Sequence, residues 1–362
     1  MKIVIVAGGT GGHFYPGLSV AHRLVEKGEE VRFVVRKNDY VIPFLEREKI
    51  PFDSISASGL SRSMHPKNIL SLFQILKGFC QSYFILRSIG PDVLLVMGGY
   101  LSFPPAVAAR LLGIPIVLHE QNVKPGLANR WLGRLARKVA LSFEESKSHF
   151  GSQAQLTGNP IRKSLNELPG KEEICREMGL ENNVPILLIF GGSQGAHGLN
   201  ALCLDALTRL DPDVNRVQVV HLTGKLDESW IKEQTKGLKC RILVSAYCHT
   251  MEKLYAISDL ILCRAGASTI SELMAIKKPA ILVPYPYATD QHQKANADVL
   301  GKKGAVLVFE ERELSGERLK TIFVDLLENP GKLADMKSAY QKIDQPNSEP
   351  TEHIIRLLKD VF

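Results

Sequence analysis

Two short, unbroken apolar runs each pass directly into a cluster of glycines: Lys2-Ile-Val-Ile-Val-Ala7 into GGTGGH, and, half a chain later, Ile186-Leu-Leu-Ile-Phe190 into GGSQGA. An unbroken β-branched run suits a strand covered on both faces, and glycines let the backbone turn sharply with no Cβ above it. A strand that ends this way and enters a helix offers unpaired N–H groups and the positive helix end to an anion. Each run therefore predicts a strand, a phosphate-binding turn and a helix, so the chain predicts two such units.

Other apolar runs of strand length fall at 31–35, 93–97, 114–118 and 138–142, then at 217–222, 241–244, 259–263, 280–284 and 305–309, with helix-length amphipathic stretches between them. This alternation predicts an α/β chain of two doubly wound parallel-sheet domains, and 362 residues with 45% apolar content suffice for two cores. The boundary is expected near Gly158-Asn-Pro-Ile-Arg162, giving residues 1–161 and 162–345, with a final amphipathic helix over 350–362 packing back on the first domain. Ligands of open parallel sheets sit outside the carboxyl ends of the strands, so two such sheets facing one another enclose a cleft.

The net charge of +7 is unevenly spread. Residues 1–165 hold 21 Lys and Arg against 11 Asp and Glu, and the remainder holds 24 against 27. The first domain therefore expects an anionic partner: a phosphorylated substrate, an acidic membrane surface or nucleic acid. Nucleic acid is disfavoured, because no arginine-rich run, zinc-finger spacing or RNP-like aromatic pattern is present. The six cysteines form no C-x-x-C pair and nothing at the start resembles a secretory signal, so reduced thiols in a cytoplasmic protein are expected.

GGTGGHFYPG departs from the dinucleotide fingerprint, and the next strand ends at Val35-Arg36-Lys37 where a NAD-binding protein would place an acid. Arg36 leaves an NADP reading open. A tight turn explains the glycines but not Thr10 and His13 among them; His13, at the mouth of the turn, is a candidate general base. In the second turn Ser193 and Gln194 replace Thr10 and Gly11. Cys263-Arg-Ala-Gly-Ala-Ser-Thr-Ile-Ser-Glu272 is expected to enter a helix at about Ser268, capped by Ser268 or Thr269. Glu272 then either accepts both hydroxyls of a ribose or closes a capping box with Thr269. Asp290–Asn296 is rich in amides that can read sugar hydroxyls, and Gly98-Gly-Tyr100 and His119-Glu-Gln-Asn122 both follow strands of the first domain.

GGTGGHFYPGLSVA, MGGYLSFP, LHEQN, GNPIR, GGSQGA, CRAGASTISE and DQHQKANA resemble, in order and spacing, the MurG family of N-acetylglucosamine transferases, from Met1 to about Ala305. The resemblance implies a GT-B fold and an inverting transfer of N-acetylglucosamine (GlcNAc) from UDP-GlcNAc to the 4-hydroxyl of N-acetylmuramic acid in lipid I, giving lipid II for peptidoglycan. It implies that Arg264 and the backbone at Tyr247 and Cys248 hold the uracil, with Ala267, Ser268 and Thr269 at the same helix end. It also implies that Glu272 holds the ribose, Ser193 and Gln194 the diphosphate, and His292 and Gln293 the sugar, with Arg162 reaching the donor phosphates. Thr10, Gly11, Gly12 and Asn122 match donor-contacting positions, while Thr10, His13, Tyr100 and Asn122 match those used for the acceptor, with His13 as the base. Cys248 and His249 depart from the family, which commonly has an aliphatic residue and then an acid there. Other partners implied are an anionic membrane surface, on the cytoplasmic face of the bacterial inner membrane, and cell-wall synthesis complexes.

Residues 69–89 are apolar on nearly all sides, but Gln74, Lys77 and Gln81 argue against a spanning helix. A stripe of Ile69, Phe73, Leu76 and Phe79 suits a helix lying on a bilayer, with Arg62, Lys67, Lys77 and Arg134 meeting headgroups. The stripe matches the family's membrane-facing patch, and the alternative is a helix packed wholly into the core. Departing charge is expected to meet the Ser193 turn, the helix end near Ser268 and Arg162. No D-x-D pair occurs in these motifs, so neither metal nor cofactor is expected. Two rivals use the same binding motifs: a UDP-sugar 2-epimerase and a non-catalytic UDP-sugar-binding protein.

Overall fold

The apolar runs of the first half become parallel strands with their side chains buried on both faces. β1 (Lys2–Val6), β2 (Glu30–Arg36), β3 (Phe52–Ile55), β4 (Val93–Val96), β5 (Ile116–Glu120), β6 (Lys138–Leu141) and β7 (Ala154–Leu156) pair in the order β3-β2-β1-β4-β5-β6-β7. Helices α1 (Gly11–Glu26), α2 (Ile42–Arg47), α3 (Lys67–Ile89), α4 (Phe103–Leu111) and α5 (Leu127–Leu135) cover the sheet. In the second half β8 (Ile186–Phe190), β9 (Gln218–Leu222), β10 (Ile242–Ser245), β11 (Leu260–Cys263), β12 (Ala280–Leu282) and β13 (Val306–Val308) are also all parallel, in the order β10-β9-β8-β11-β12-β13. Its helices are α6 (Lys171–Met178), α7 (His197–Thr208), α8 (Glu228–Thr235), α9 (Met251–Ile257), α10 (Ala267–Ile276), α11 (His292–Gly301), α12 (Gly316–Leu327) and α13 (Pro330–Ala339). The last helix, α14 (Pro350–Val361), belongs to the first unit.

This computed structural model describes residues 1–58, 67–210, 216–343 and 349–362, without the side chains of 67–70 and 289. It divides into two units, Met1–Arg162 with Gln345–Phe362, and Lys163–Asp344. Both sheets are doubly wound, as the α/β alternation predicted. β3 and β7 were not predicted: they are the sheet edges, short and only partly buried (FDSI and AQL), so they lack the continuous apolar run that marks an inner strand. β5 lies two residues later than its apolar run, because the carbonyl of Pro115 already accepts from Leu94 N and pairing continues through His119 and Glu120.

α14 buries Ile354, Ile355, Leu357, Leu358 and Val361 in the core that contains Ile3, Ile5, Phe14 and Leu24. Glu352 ties it to α1, accepting from Arg23 Nε at 2.5 Å and pairing with Lys27 at 3.2 Å. Leu358→Ala should therefore cost the first unit about 2–5 kcal/mol and leave the second unchanged. Urea unfolding followed by hydrogen exchange in each unit checks this, and equal loss of protection in both units would refute it.

Two histidines sit inside the sheets, fully buried, one in each unit: His119 in β5 and His221 in β9. Gln121 Nε2 donates to the Met97 carbonyl at 2.8 Å and to His119 Nδ1 at 3.0 Å, which fixes His119 as the Nε2–H tautomer facing the Gly158 carbonyl at 3.4 Å. Burial pushes both imidazoles down to about 4. The folded chain then binds fewer protons than the unfolded chain between about pH 4 and 6.5, so stability rises with pH across that window and is lost on acidification, by about 3 kcal/mol per histidine. His119→Asn and His221→Asn should each flatten this acid limb in urea titrations at pH 4.5 and 7. An unchanged limb in both variants would mean that other groups cause it.

Candidate active site

In each sheet the strand order reverses beside its first strand, between β1 and β4 and between β8 and β11. There the connections leave in opposite directions and a crevice opens at the carboxyl ends. The glycine turns fall at these points. After β1 the backbone passes through Gly9 at φ +75° into α1, and Gly9 N donates to Asp39 Oδ2 at 2.9 Å. A Cβ on Gly8 would stand 2.8 Å from the same oxygen, so this turn is closed around a carboxylate that is only 3% exposed. Asp39 follows β2, near where a NAD-binding protein places its ribose acid, but it is spent on the turn itself. Arg36, the NADP candidate, donates instead to the Tyr100 hydroxyl at 3.1 Å.

Thr10, the residue before α1, makes no cap hydrogen bond; its Oγ1 lies 2.9 Å from His13 Nδ1. Gly11 and Gly12 open the helix, in the first turn whose amides have no intrahelical acceptor. The His13 ring rests against the turn after β4, where a Cβ on Gly99 would come within 3.5 Å of its Cε1. That turn is tied down from β5 and α5. Gly99 N donates to Asn129 Oδ1 at 2.9 Å, and Asn129 Nδ2 donates to Glu120 Oε2 at 2.7 Å. Glu120 Oε1 accepts from Asn122 N at 2.8 Å and from its amide at 3.3 Å. Burial raises the Glu120 carboxyl above its ordinary range while these donors oppose the shift. Thr10, His13, Tyr100 and Asn122 thus meet at one end of one sheet. Arg162, at the last position of the unit, lies over the Tyr15 ring at 4.5 Å.

The second unit is built differently at the same place. Gly191 can carry no side chain because Ala196 fills that space, and Gly195, at φ +80°, presses on the Thr223 carbonyl after β9. Above Gly192 no heavy atom lies within 4 Å of where a Cβ would stand, so the turn holding Ser193 and Gln194 is open on that side. α7 begins without a side-chain cap and without an acid in its first turn. α10 does the same after β11, leaving its leading amides to whatever lies in front.

The position of that helix corrects the expected capping. Gly266 is the cap residue and α10 starts at Ala267, so neither Ser268 nor Thr269 caps it and no capping box forms with Glu272. The Ser268 hydroxyl is buried and takes no hydrogen bond. Glu272 instead accepts from the Tyr255 hydroxyl at 2.6 Å, a contact from α9 that motif spacing could not reveal. Arg264, 6% exposed, donates to the carbonyl of Val283 at 3.1 Å and to Glu311 at 2.5 Å, with its Nε buried and unpartnered. The Tyr247 carbonyl accepts from Ser245 Oγ at 3.2 Å, and the Tyr247 ring meets His249 at 4.9 Å, while Cys248 Sγ lies 3.6 Å from Thr250 Oγ1. His292 opens α11, and Gln293 Oε1 accepts from Tyr285 N at 2.9 Å. Asp290 and Gln291 before it are both left-handed, at φ 52° and 53°, an uncommon state for residues other than glycine. Among the described residues no group of His, Cys, Asp or Glu is arranged to hold a metal ion.

On the first unit α3 turns an apolar face to solvent: Phe73 is 64% exposed, Leu76 56% and Phe84 69%, interleaved with Lys77 and Arg87. Phe79 does not belong to this face. It packs against the core, because Gly78 brings that side of α3 onto the Ser56 carbonyl. Phe84 takes its place in the exposed stripe. The side chains of Ile69 and Lys67, and all of Arg62, lie outside the described residues. α4 packs on α3, and α5 on α4; α5 exposes Trp131 with the Arg134 guanidinium 4.4 Å from its ring. Among the described residues no helix is long and apolar enough to cross a membrane.

Comparison with known proteins agrees with this geometry. Residues 3–141 match the glycosyltransferase family 28 N-terminal domain and residues 186–350 the family's C-terminal domain. The UDP-N-acetylglucosamine–N-acetylmuramyl-(pentapeptide) pyrophosphoryl-undecaprenol N-acetylglucosamine transferase of Geobacter sp. strain M21 is 38% identical over 95% of this chain and 92% of its own. The protein of that name from Halothermothrix orenii is 36% identical over 99% of both chains. The crystal structure of Acinetobacter baumannii MurG superposes with a TM-score of 0.76 at 28% identity, covering 99% of each chain. The chain belongs to the MurG group of glycosyltransferase family 28.

Proposed function

We propose that this chain transfers GlcNAc from UDP-GlcNAc to the 4-hydroxyl of N-acetylmuramic acid in lipid I, with inversion at the anomeric carbon, forming lipid II and UDP. The relatives' names supply the substrates, and one observation in the first unit carries the chemistry: the His13 imidazole is braced by Thr10 at 2.9 Å against the Gly98–Gly99 turn. With Nδ1–H given to Thr10 Oγ1, Nε2 keeps its lone pair and can accept a proton. The acceptor oxygen attacks the anomeric carbon from the face opposite UDP, its proton passes to His13 Nε2, and the sugar–phosphate bond breaks with its electrons on UDP. Tyr100 and Asn122, fixed by Arg36 and Glu120, are suited to orient the acceptor.

In the second unit the uncapped starts of α7 and α10 favour a diphosphate, which they stabilise most as charge departs with UDP. Glu272 is suited to the ribose hydroxyls, Ser193 and Gln194 to the diphosphate, and His292 and Gln293 to the sugar. Arg264 and the backbone of Tyr247 and Cys248 are suited to the uracil. The exposed apolar and basic face of α3 and α5 fits a peripheral position on the cytoplasmic face of the membrane, where a lipid-linked acceptor resides.

Mixing the protein with UDP-GlcNAc and a short-chain lipid I analogue should release UDP only when the acceptor is present, with a β1→4 disaccharide as product. UDP release or sugar isomerisation without acceptor would overturn the transferase reading. His13→Ala should lower turnover by about 10²–10⁴-fold with UDP affinity intact, and near-normal turnover would remove His13 as the base. Phe73→Asp and Leu76→Asp should each weaken sedimentation with phosphatidylglycerol vesicles and leave UDP binding unaltered. Undiminished sedimentation of both variants would exclude the α3 face as the contact.

A further inference from the structure

Beside the GGSQGA turn lies a polar chain that none of the motifs above includes. It starts inside the second sheet. His221 in β9 donates through Nε2–H to Asn200 Oδ1 at 3.0 Å, an assignment forced because both Asn200 N–H bonds are committed, to the Thr223 carbonyl at 2.8 Å and to Asp227 Oδ2 at 2.7 Å. Asp227 Oδ1 in turn meets His197 Nδ1 at 3.0 Å. Burial alone would raise the Asp227 carboxyl, but hydrogen bonds from Asn200 and His197 outweigh it and hold the group below its ordinary value. The chain therefore ends in an ionised carboxylate that fixes Nδ1–H on His197.

His197 is the first residue of α7, directly after the turn. Side chains at a helix start tilt back toward the N-terminus, which here is the side of the turn. The ring is seated on Trp230 with centroids 5.2 Å apart, yet 74% of the side chain is exposed and no described residue takes Nε2. Thr223 and Gly224, which lead from β9 toward Asp227, also wall the turn: a Cβ on Gly224 would stand 2.6 Å from the Gln194 carbonyl. The same short segment thus shapes the turn and orients the imidazole. An exposed ring anchored from the core at Nδ1, next to an uncapped helix start, can donate to an anion from Nε2 when both nitrogens carry a proton.

We propose that His197, positioned by Asp227, is a donor-binding residue that acts as an imidazolium, giving Nδ1–H to Asp227 and Nε2–H to a diphosphate oxygen of the nucleotide. This rests on reading the 191–196 turn as the diphosphate site. Asp227 is a positioning residue and does not touch the ligand.

Calorimetric titration of the full chain with UDP and with uridine separates the parts. Wild type should bind UDP more tightly than uridine. His197→Ala should weaken UDP about ten-fold, the scale of one charge-assisted hydrogen bond, with uridine affinity unchanged, and His197→Gln, which removes the charge, should also weaken UDP selectively. Asp227→Asn should weaken UDP by less, and adding it to His197→Ala should cost nothing further. Unchanged UDP affinity in His197→Ala, or equal loss for UDP and uridine, overturns the proposal while the donor-site reading stands. A wild-type protein with no preference for UDP over uridine removes the diphosphate site itself, and this proposal with it.

Discussion

The reversal of strand order in each sheet is the constraint from which the functional geometry follows. A parallel strand must return by a crossover, and right-handed crossovers on the two sides of β1, or of β8, place helices on opposite faces. Only at that seam do adjacent connections part and leave room above the sheet. The segments carrying His13, Tyr100 and Asn122 in one unit, and Ser193, Gln194 and Glu272 in the other, follow strands beside or near such a seam, whereas Tyr247 and Cys248 follow β10 and His292 and Gln293 follow β12. The glycines are needed because the backbone there has a side chain or carbonyl pressed against it, as Gly98 has Asn129 at 2.5 Å from a hypothetical Cβ.

The two glycine turns look alike as sequence and differ in electrostatics. The first encloses Asp39, buried and bonded to Gly9 N, so part of its donor capacity is satisfied from within and a carboxylate lies beneath it. It leads Thr10 and His13 from β1 into α1. The second is open above Gly192 and leads into a helix without a side-chain cap. One turn organises side chains and the other presents backbone donors, which suits proton transfer in one unit and anion binding in the other.

The inner strands and the site turns were legible because burial on both faces demands unbroken apolar runs and the turns demand glycine. The edges β3 and β7 were not, since half-exposed strands carry mixed residues. Motif spacing singled out His13, Tyr100, Asn122 and Glu272 as candidates but not what holds them. Asp39, Asn129, Tyr255 and Glu311 are supplied by elements distant in sequence, and only the folded sheet order brings them to the site. Asp39 carried a signal, an acid just past the second strand of a doubly wound unit. Phe79 was misplaced on α3 because periodicity alone cannot tell which of two apolar stripes a glycine such as Gly78 will draw inward.

The return of α14 to the first unit sets the order in which the chain can mature during synthesis. The second unit is one uninterrupted stretch, Lys163–Asp344, whereas the first has part of its core on residues 354–361. Translation therefore completes the second unit while the first still exposes the apolar face of α1, β4, β5 and β6 that α14 covers. Domains ordinarily fold N-terminal first as they are made; here the unit begun first is finished last, and its unsealed face is what a holding chaperone would meet on the ribosome.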